Sequence, residues 1–159
     1  MILPIYVYGS EVLREQAAKL DYKDEKLQAE LKELIHNMFE TMENSDGVGL
    51  AAPQIGKSIQ LLVIDGSPLQ EDMPDLKGFR FAMINPEVVE ESNETAEYSE
   101  GCLSVPDIHA DVIRPAKIKV RYIDENFEEV EREFNNFGCR IVQHEMDHLK
   151  GILFTDKVS

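Results

Sequence analysis

The stretch Gln143-His144-Glu145-Met146-Asp147-His148 carries the pattern H-E-x-x-H near the end of a predicted helix. Two imidazoles four positions apart on a helix are separated by about 40° around its axis, so both can point at one ion. Glu145 then lies roughly 60–100° from them, beside the ion. This geometry suits metal-assisted hydrolysis, with two neutral nitrogen ligands and a carboxylate that can move a proton. The alternative is a solvated helix that holds two histidines by chance.

A catalytic metal site normally has three protein ligands and one open position, so a third ligand is needed. The metzincin pattern is excluded, because Phe154 stands where its third histidine should be. Thermolysin-like sites take a glutamate from a later helix, but Asp156 is the only carboxylate after His148. We therefore expect the third ligand to lie upstream of the helix.

Composition predicts one globular domain, residues 1–159, with 43% apolar residues to form its core. The net charge of −15 disfavours direct, charge-driven binding to nucleic acid or to an anionic membrane. The first residues lack the pattern of a signal peptide, and no apolar run approaches the roughly 20 residues of a membrane span. Two cysteines make no disulfide framework, so we expect a cytoplasmic protein in which a cysteine can serve as a ligand.

Periodicity along the chain indicates an α+β fold. A helix is predicted over residues 24–43, with Asp24 as its N-cap and His36 facing solvent. Strands are predicted over residues 60–65 and 79–90, the second kinked at Asn85-Pro86, and a hairpin over residues 116–123 and 129–134. The last helix is expected over residues 136–150, followed by Gly151 as its C′ residue.

A second unusual stretch, residues 47–56, places three glycines and two alanines around the polar side chain of Gln54. Its spacing matches neither of the glycine-rich phosphate-binding patterns. Small residues here let a backbone approach another group closely. A simple connector between helix and strand would explain the glycines but not a polar Gln54 among apolar neighbours.

The candidates for the third ligand are two cysteines, two histidines and many carboxylates. Cys139 precedes His144 by five residues, which turns it roughly 140° from the metal face, so a small buried apolar group is the better interpretation. His36 faces solvent. Cys102 lies in a bend that a glycine precedes and Pro106 ends, after a strand, where a side chain can be presented to a facing helix. A thiolate with two imidazoles would leave a fourth position for water.

Three motifs together resemble the signature motifs of the peptide deformylase family: GVGLAAPQ at residues 47–54, EGCLS at 100–104 and QHEMDH at 143–148. They occur in the family's order and at comparable spacing, and the resemblance covers essentially the whole chain. It implies a metal-dependent hydrolase that removes the N-formyl group from the initiator methionine of nascent polypeptides. It also implies Fe(II) as the native metal, with zinc, nickel or cobalt able to replace it.

The resemblance further implies a role for each motif residue. The metal ligands would be Cys102, His144 and His148, and Glu145 would carry the proton. The formyl oxygen would be stabilised by the Gln54 amide and the backbone N–H of Leu103. The expected contacts to the substrate are those of Val48, Gly49, Gly101 and Ile141, the last lining an apolar methionine pocket. The expected architecture has mostly antiparallel strands around a central metal-binding helix, with one N-terminal helix.

Some features depart from the family. Where many relatives carry an arginine after the second motif, this chain has His109, interpreted as a surface-loop residue. Arg140 is expected at the rim of the site or in an ion pair. Ribosome proximity is expected without a basic C-terminal docking helix, and the protein is expected to be a monomer. Two alternatives remain open: a binding module in which the metal only stabilises the fold, and an amidase acting on another N-acyl group.

Overall fold

The structure is a computed structural model that describes residues 2–6, 10–102 and 105–152. The side chains of Ser99 and of residues 101–110 lie outside this description. Leu103, Phe154 and Asp156 are not among the described residues, and Gly101, Cys102 and His109 are described only by their backbone. Over these described residues the fold is α+β, with two α-helices and antiparallel sheets. Within the described residues no helix is both long and apolar enough to cross a membrane.

Helix α1 spans Glu25–Asn44, within one residue of the prediction at each end. The Asp24 carboxylate caps it by accepting from the backbone N–H groups of Lys26 at 2.9 Å and Leu27 at 3.4 Å. The predicted apolar stripe is the buried face of the helix. The side chain of His36 is 70% exposed and lies 2.8 Å from Glu40, which confirms its position on the solvent face.

In the part of the chain that the structure describes, one antiparallel sheet has five strands: β1 Gly49–Ala51, β2 Leu61–Asp65, β3 Arg80–Glu91, β6 Lys117–Ile123 and β7 Glu129–Asn135. They lie side by side in the order β1-β2-β3-β6-β7. The predicted β6–β7 hairpin is confirmed. So is the kink in β3, where Asn85 has a positive φ of 51° and the register shifts between Ile84 and Glu87. Strand β1 is the terminal strand of this sheet among the described residues.

A second sheet of two strands corrects the prediction that His109 lies in a surface loop. Strands β4, Thr95–Cys102, and β5, Val105–Pro115, pair with each other. His109 pairs with Gly101 in this ladder, so it lies in a strand and not in a loop. Strand β5 is hard to recognise in the sequence because prolines and aspartates, which are depleted in strands, interrupt it. Its hydrogen bonds to β4 compensate for that weak propensity.

Helix α2 spans Asn136–His148 and ends two residues earlier than predicted. Gly151 follows in the left-handed region with φ of 74°, where a glycine is favoured. The helix packs against β1, β2, β6 and β7. Ten of its residues are buried, among them the polar side chains of the H-E-x-x-H motif. Burial of polar groups requires partners, and the second sheet supplies those of His144 and Asp147.

Candidate metal and catalytic site

His144, Glu145 and His148 form a buried cluster on α2. One ligand atom of each residue lies within 4.8 Å of those of the other two. The three residues are only 7%, 5% and 1% exposed, respectively. The two imidazole rings have their centroids 5.3 Å apart. The helical spacing therefore brings these three side chains together as the sequence predicts.

Glu100 on β4 orients His144. The Nδ1 atom of His144 donates a hydrogen bond to Oε1 of Glu100 at 2.7 Å, because a carboxylate can only accept. The Nε2 atom of the same ring is thereby left on the side of Glu145, whose Oε1 lies 3.9 Å away. A histidine that ligates a metal commonly donates its other ring N–H to a carboxylate in this way. Glu100 belongs to the EGCLS motif, but the sequence did not indicate its role, because its partner His144 is 44 residues away.

Two buried arginines complete the surroundings of Glu100. Arg114 on β5 donates from Nε and Nη2 to both Glu100 oxygens at 2.8 and 2.9 Å, and from Nη1 to Asp147 of α2. Arg140 donates to Glu100 Oε2 at 2.5 Å and lies 5.1 Å above the Tyr98 ring. The expected ion pair of Arg140 is confirmed, but the residue is buried and not at a rim. The roles of Arg114 and Asp147 were missed, because their partners are distant in sequence.

Burial and charge set the protonation states of the cluster. Burial alone would raise the pKa of Glu100, but hydrogen bonds from His144 and Arg114 hold it well below its usual range. Burial, with the nearby positive charges of His144 and Arg114, lowers the pKa of His148 well below its ordinary value. Burial raises the pKa of Glu145 to about 7, although His144 opposes the shift. His148 is therefore neutral at physiological pH, and Glu145 can exchange a proton there.

These residues fit a divalent metal. His148 is neutral, as a nitrogen ligand must be, and the hydrogen bond to Glu100 leaves Nε2 of His144 as the ligating nitrogen. Within the described part of the chain, Oε2 of Glu145 is buried and makes no hydrogen bond. Cys102 ends β4 two residues after Glu100, the residue that contacts His144. Cys139 is buried, as its interpretation as a small apolar group predicts, and its thiol donates to the Pro115 carbonyl at 3.7 Å.

Gly49 lies on β1, which packs against α2, and Gln54 lies in the turn that follows β1. Gln54 is 1% exposed in a short 3-10 turn, Ala52–Ile55, and its Oε1 accepts from the Ala51 N–H at 2.9 Å. This bond fixes the orientation of the amide, so its NH₂ end faces away from Ala51. Gly49 contacts the Glu145 side chain directly. Val48 packs against the core cluster that contains Ile141 and Met146.

Comparison with known proteins decides the family. The sequence model described as polypeptide deformylase matches residues 2–159. The chain belongs to the polypeptide deformylase family. A peptide deformylase of Salinibacter ruber is 48% identical over 163 residues, which cover 100% of this chain and 82% of the relative. Enzymes of this family are metal-dependent hydrolases that remove N-formyl groups, and the resemblance in the three motifs is confirmed.

Solved structures of the family agree with the fold. The crystal structure of peptide deformylase from Thermotoga maritima has a TM-score of 0.88 and 40% identity, covering 100% of this chain and 99% of that one. A peptide deformylase from Synechococcus elongatus, in complex with actinonin, has a TM-score of 0.86 and 38% identity, covering 99% of this chain and 79% of that one. The α+β architecture with antiparallel sheets and two helices is therefore that of the deformylases.

Proposed function

We propose that residues 1–159 act as one catalytic domain that deformylates the initiator methionine of nascent polypeptides and releases formate. The buried cluster of His144, Glu145 and His148 carries this proposal, because it joins metal-ligating nitrogens to a carboxylate that can exchange a proton. Helix α2, which holds the cluster, would be the central metal-binding helix around which the strands pack.

The proposed metal ligands are Cys102, His144 and His148. A thiolate and two imidazoles suit Fe(II), the proposed native metal, and also zinc, nickel and cobalt. When bound, the metal supplies Lewis acidity that polarises the formyl carbonyl and makes water more acidic. Glu100 supports the set by fixing the tautomer and orientation of His144.

Glu145 is the proposed proton carrier. Its carboxylate takes a proton from the attacking water and later delivers it to the leaving amine. Its burial and its raised pKa suit both transfers, since a carboxyl group whose pKa lies near neutrality can both accept and release a proton. Gln54, through its NH₂ group, and Leu103, through its backbone N–H, would donate to the formyl oxygen as negative charge develops there.

The substrate would bind as an extended strand. Strand β1 is a terminal strand among the described residues, so one edge of its backbone can pair with a peptide around Val48 and Gly49. Gly101, on β4, would contact the peptide backbone from the other sheet. Ile141 would line the pocket for the methionine side chain with Val48, which packs against the same apolar cluster.

The proposed setting follows from charge and substrate. Formylated nascent chains emerge from ribosomes, so the enzyme would work in the cytoplasm close to them. A net charge of −15 gives it no electrostatic attraction to ribosomal RNA, and we propose no direct contact with nucleic acid or membrane. We propose that it acts as a monomer.

Glu145→Gln tests the assignment of roles. The variant should retain metal at the parent's stoichiometry, because Glu145 is not a proposed ligand, but lose turnover by about 10²–10⁴-fold, the usual contribution of a general acid–base group. His148→Ala, the matched comparison, should lose metal itself. The measurements are metal content by mass spectrometry and formate release. A Glu145→Gln variant that keeps substantial activity would refute Glu145 as the proton carrier.

A further inference from the structure

Gly49 of β1 meets the carboxylate side chain of Glu145 at a distance that only glycine permits. A Cβ atom at residue 49 would lie 2.7 Å from Cγ of Glu145 and 2.8 Å from both its Cδ and its Oε1. Carbon atoms in ordinary contact are about 3.5–4.0 Å apart, so any larger residue here would displace the Glu145 side chain or β1.

Strand β1 is the less movable of the two partners. Gly49 pairs with Ile64 of β2, and the following Leu50 and Ala51 are fully buried in the same ladder. The backbone just before Gly49 is also held, because the Asp65 N–H donates to the Val48 carbonyl at 2.9 Å. A side chain added at residue 49 would therefore shift Glu145 more easily than the strand.

Packing against Gly49 limits where the Glu145 carboxylate can lie. Its Oε2 is buried and makes no hydrogen bond within the described residues. Its Oε1 lies 3.9 Å from Nε2 of His144, which is beyond hydrogen-bond length. The Glu145 carboxylate therefore packs directly against the backbone of Gly49.

We propose that Gly49 is a positioning residue for the proton carrier, in addition to its proposed contact with the peptide backbone. Because Gly49 has no side chain, a narrow slot remains between β1 and α2. This slot holds the Glu145 carboxylate beside His144 and His148. The inference rests on the proposed role of Glu145 in deformylation.

Gly49→Ala tests the slot. The φ angle of Gly49 lies outside the left-handed region, so alanine strains no backbone there. Misplacing a catalytic group by about 1 Å costs up to about 100-fold in rate, and we expect kcat to fall by at least about tenfold with metal content unchanged. Gly138→Ala is the matched control: it lies on α2, and its Cβ would meet the Phe79 ring at 2.9 Å, away from the cluster. The control should keep the parent's kcat.

A second measurement separates positioning from peptide binding. In the Glu145→Gln background, in which turnover is too slow to disturb a binding measurement, adding Gly49→Ala should change the affinity for a formyl-Met peptide by less than about twofold. Alanine keeps the backbone N–H and carbonyl that would pair with the peptide, and its methyl group would point at Glu145. A large loss of affinity there would mean that the methyl group obstructs the peptide instead, and would overturn the inference. So would a Gly49→Ala enzyme with the kcat of the parent.

The outcomes stay distinct if folding fails or if the proposed function is wrong. Should Gly49→Ala not fold, the double variant with Glu145→Ala has room for the new methyl group. A folded double variant supports the contact, and an unfolded one overturns it. Absence of formate release by the parent enzyme refutes the proposed function, whereas an active parent with an equally active Gly49→Ala variant refutes the positioning role alone.

Discussion

At the scale of single residues, Glu100 connects His144, a proposed metal ligand, to two buried arginines. Its two oxygens accept from Arg114, Arg140 and His144, and it is 5% exposed. Buried charges are tolerated only when they are paired and hydrogen-bonded. Glu100 therefore has two functions: it forms ion pairs with two buried arginines, and it orients a proposed metal ligand.

Glu100→Gln should weaken both functions. Loss of the Glu100 charge should lower the free energy of unfolding by about 3–5 kcal/mol, because the buried positive charges of Arg114 and Arg140 are then only partly compensated. Loss of the carboxylate beside His144 should weaken metal affinity by about 10–100-fold. Urea unfolding and a competition titration with a metal chelator measure the two effects. Glu97→Gln, an exposed glutamate on the same strand, is the control. Equal metal affinity in both variants would contradict the orienting role.

At the scale of elements, the same contacts tie the β4–β5 hairpin to α2. Glu100 on β4 and Arg114 on β5 contact His144, Arg140 and Asp147 of the helix. The hairpin pairs with no strand of the five-stranded sheet within the described residues. Charged contacts, together with the edge contact between the Tyr98 and Phe137 rings, hold it against the helix, so we expect this packing to be sensitive to acid.

We expect the stability of the metal-free protein to fall with acid through Glu100. The pKa of Glu100 in the folded state lies well below its ordinary value of 4.5, so the unfolded chain binds this proton first as the pH falls. Its stabilising contribution is complete above the unfolded pKa and is lost as the pH falls toward the folded pKa. Urea unfolding between about pH 6 and pH 3 should show a steeper decline for the parent than for Glu100→Gln. Parallel declines would contradict this pKa shift.

Helices and strands with a regular pattern of apolar residues could be predicted from the sequence. The apolar stripe of α1, the Asp24 cap and the alternation in β6 and β7 are repeated over several residues, and the structure confirms all of them. Strand β5 has no such pattern. It is a strand because β4 lies beside it, and pairing with a neighbour is not encoded in local periodicity.

At the scale of the whole molecule, the site combines one local motif with several distant contacts. The H-E-x-x-H spacing by itself predicted the cluster of His144, Glu145 and His148. The partners around it could not be predicted in this way, since Glu100 is 44 residues from His144, and Arg114 is 33 residues from Asp147. Such contacts depend on the fold that brings β4 and β5 against α2. The close approach of Gly49 was expected, but its partner, Glu145, was not.

The central claim is that this chain hydrolyses an N-formyl group with a metal. Its most direct test is an anaerobic assay of the iron-loaded protein, because Fe(II) held by a thiolate is easily oxidised in air. The measurement is formate release from a formyl-Met peptide, with an acetyl-Met peptide as control. We expect rapid release of formate and little or no release of acetate. Absence of formate, or equal rates on the two peptides, would contradict the claim.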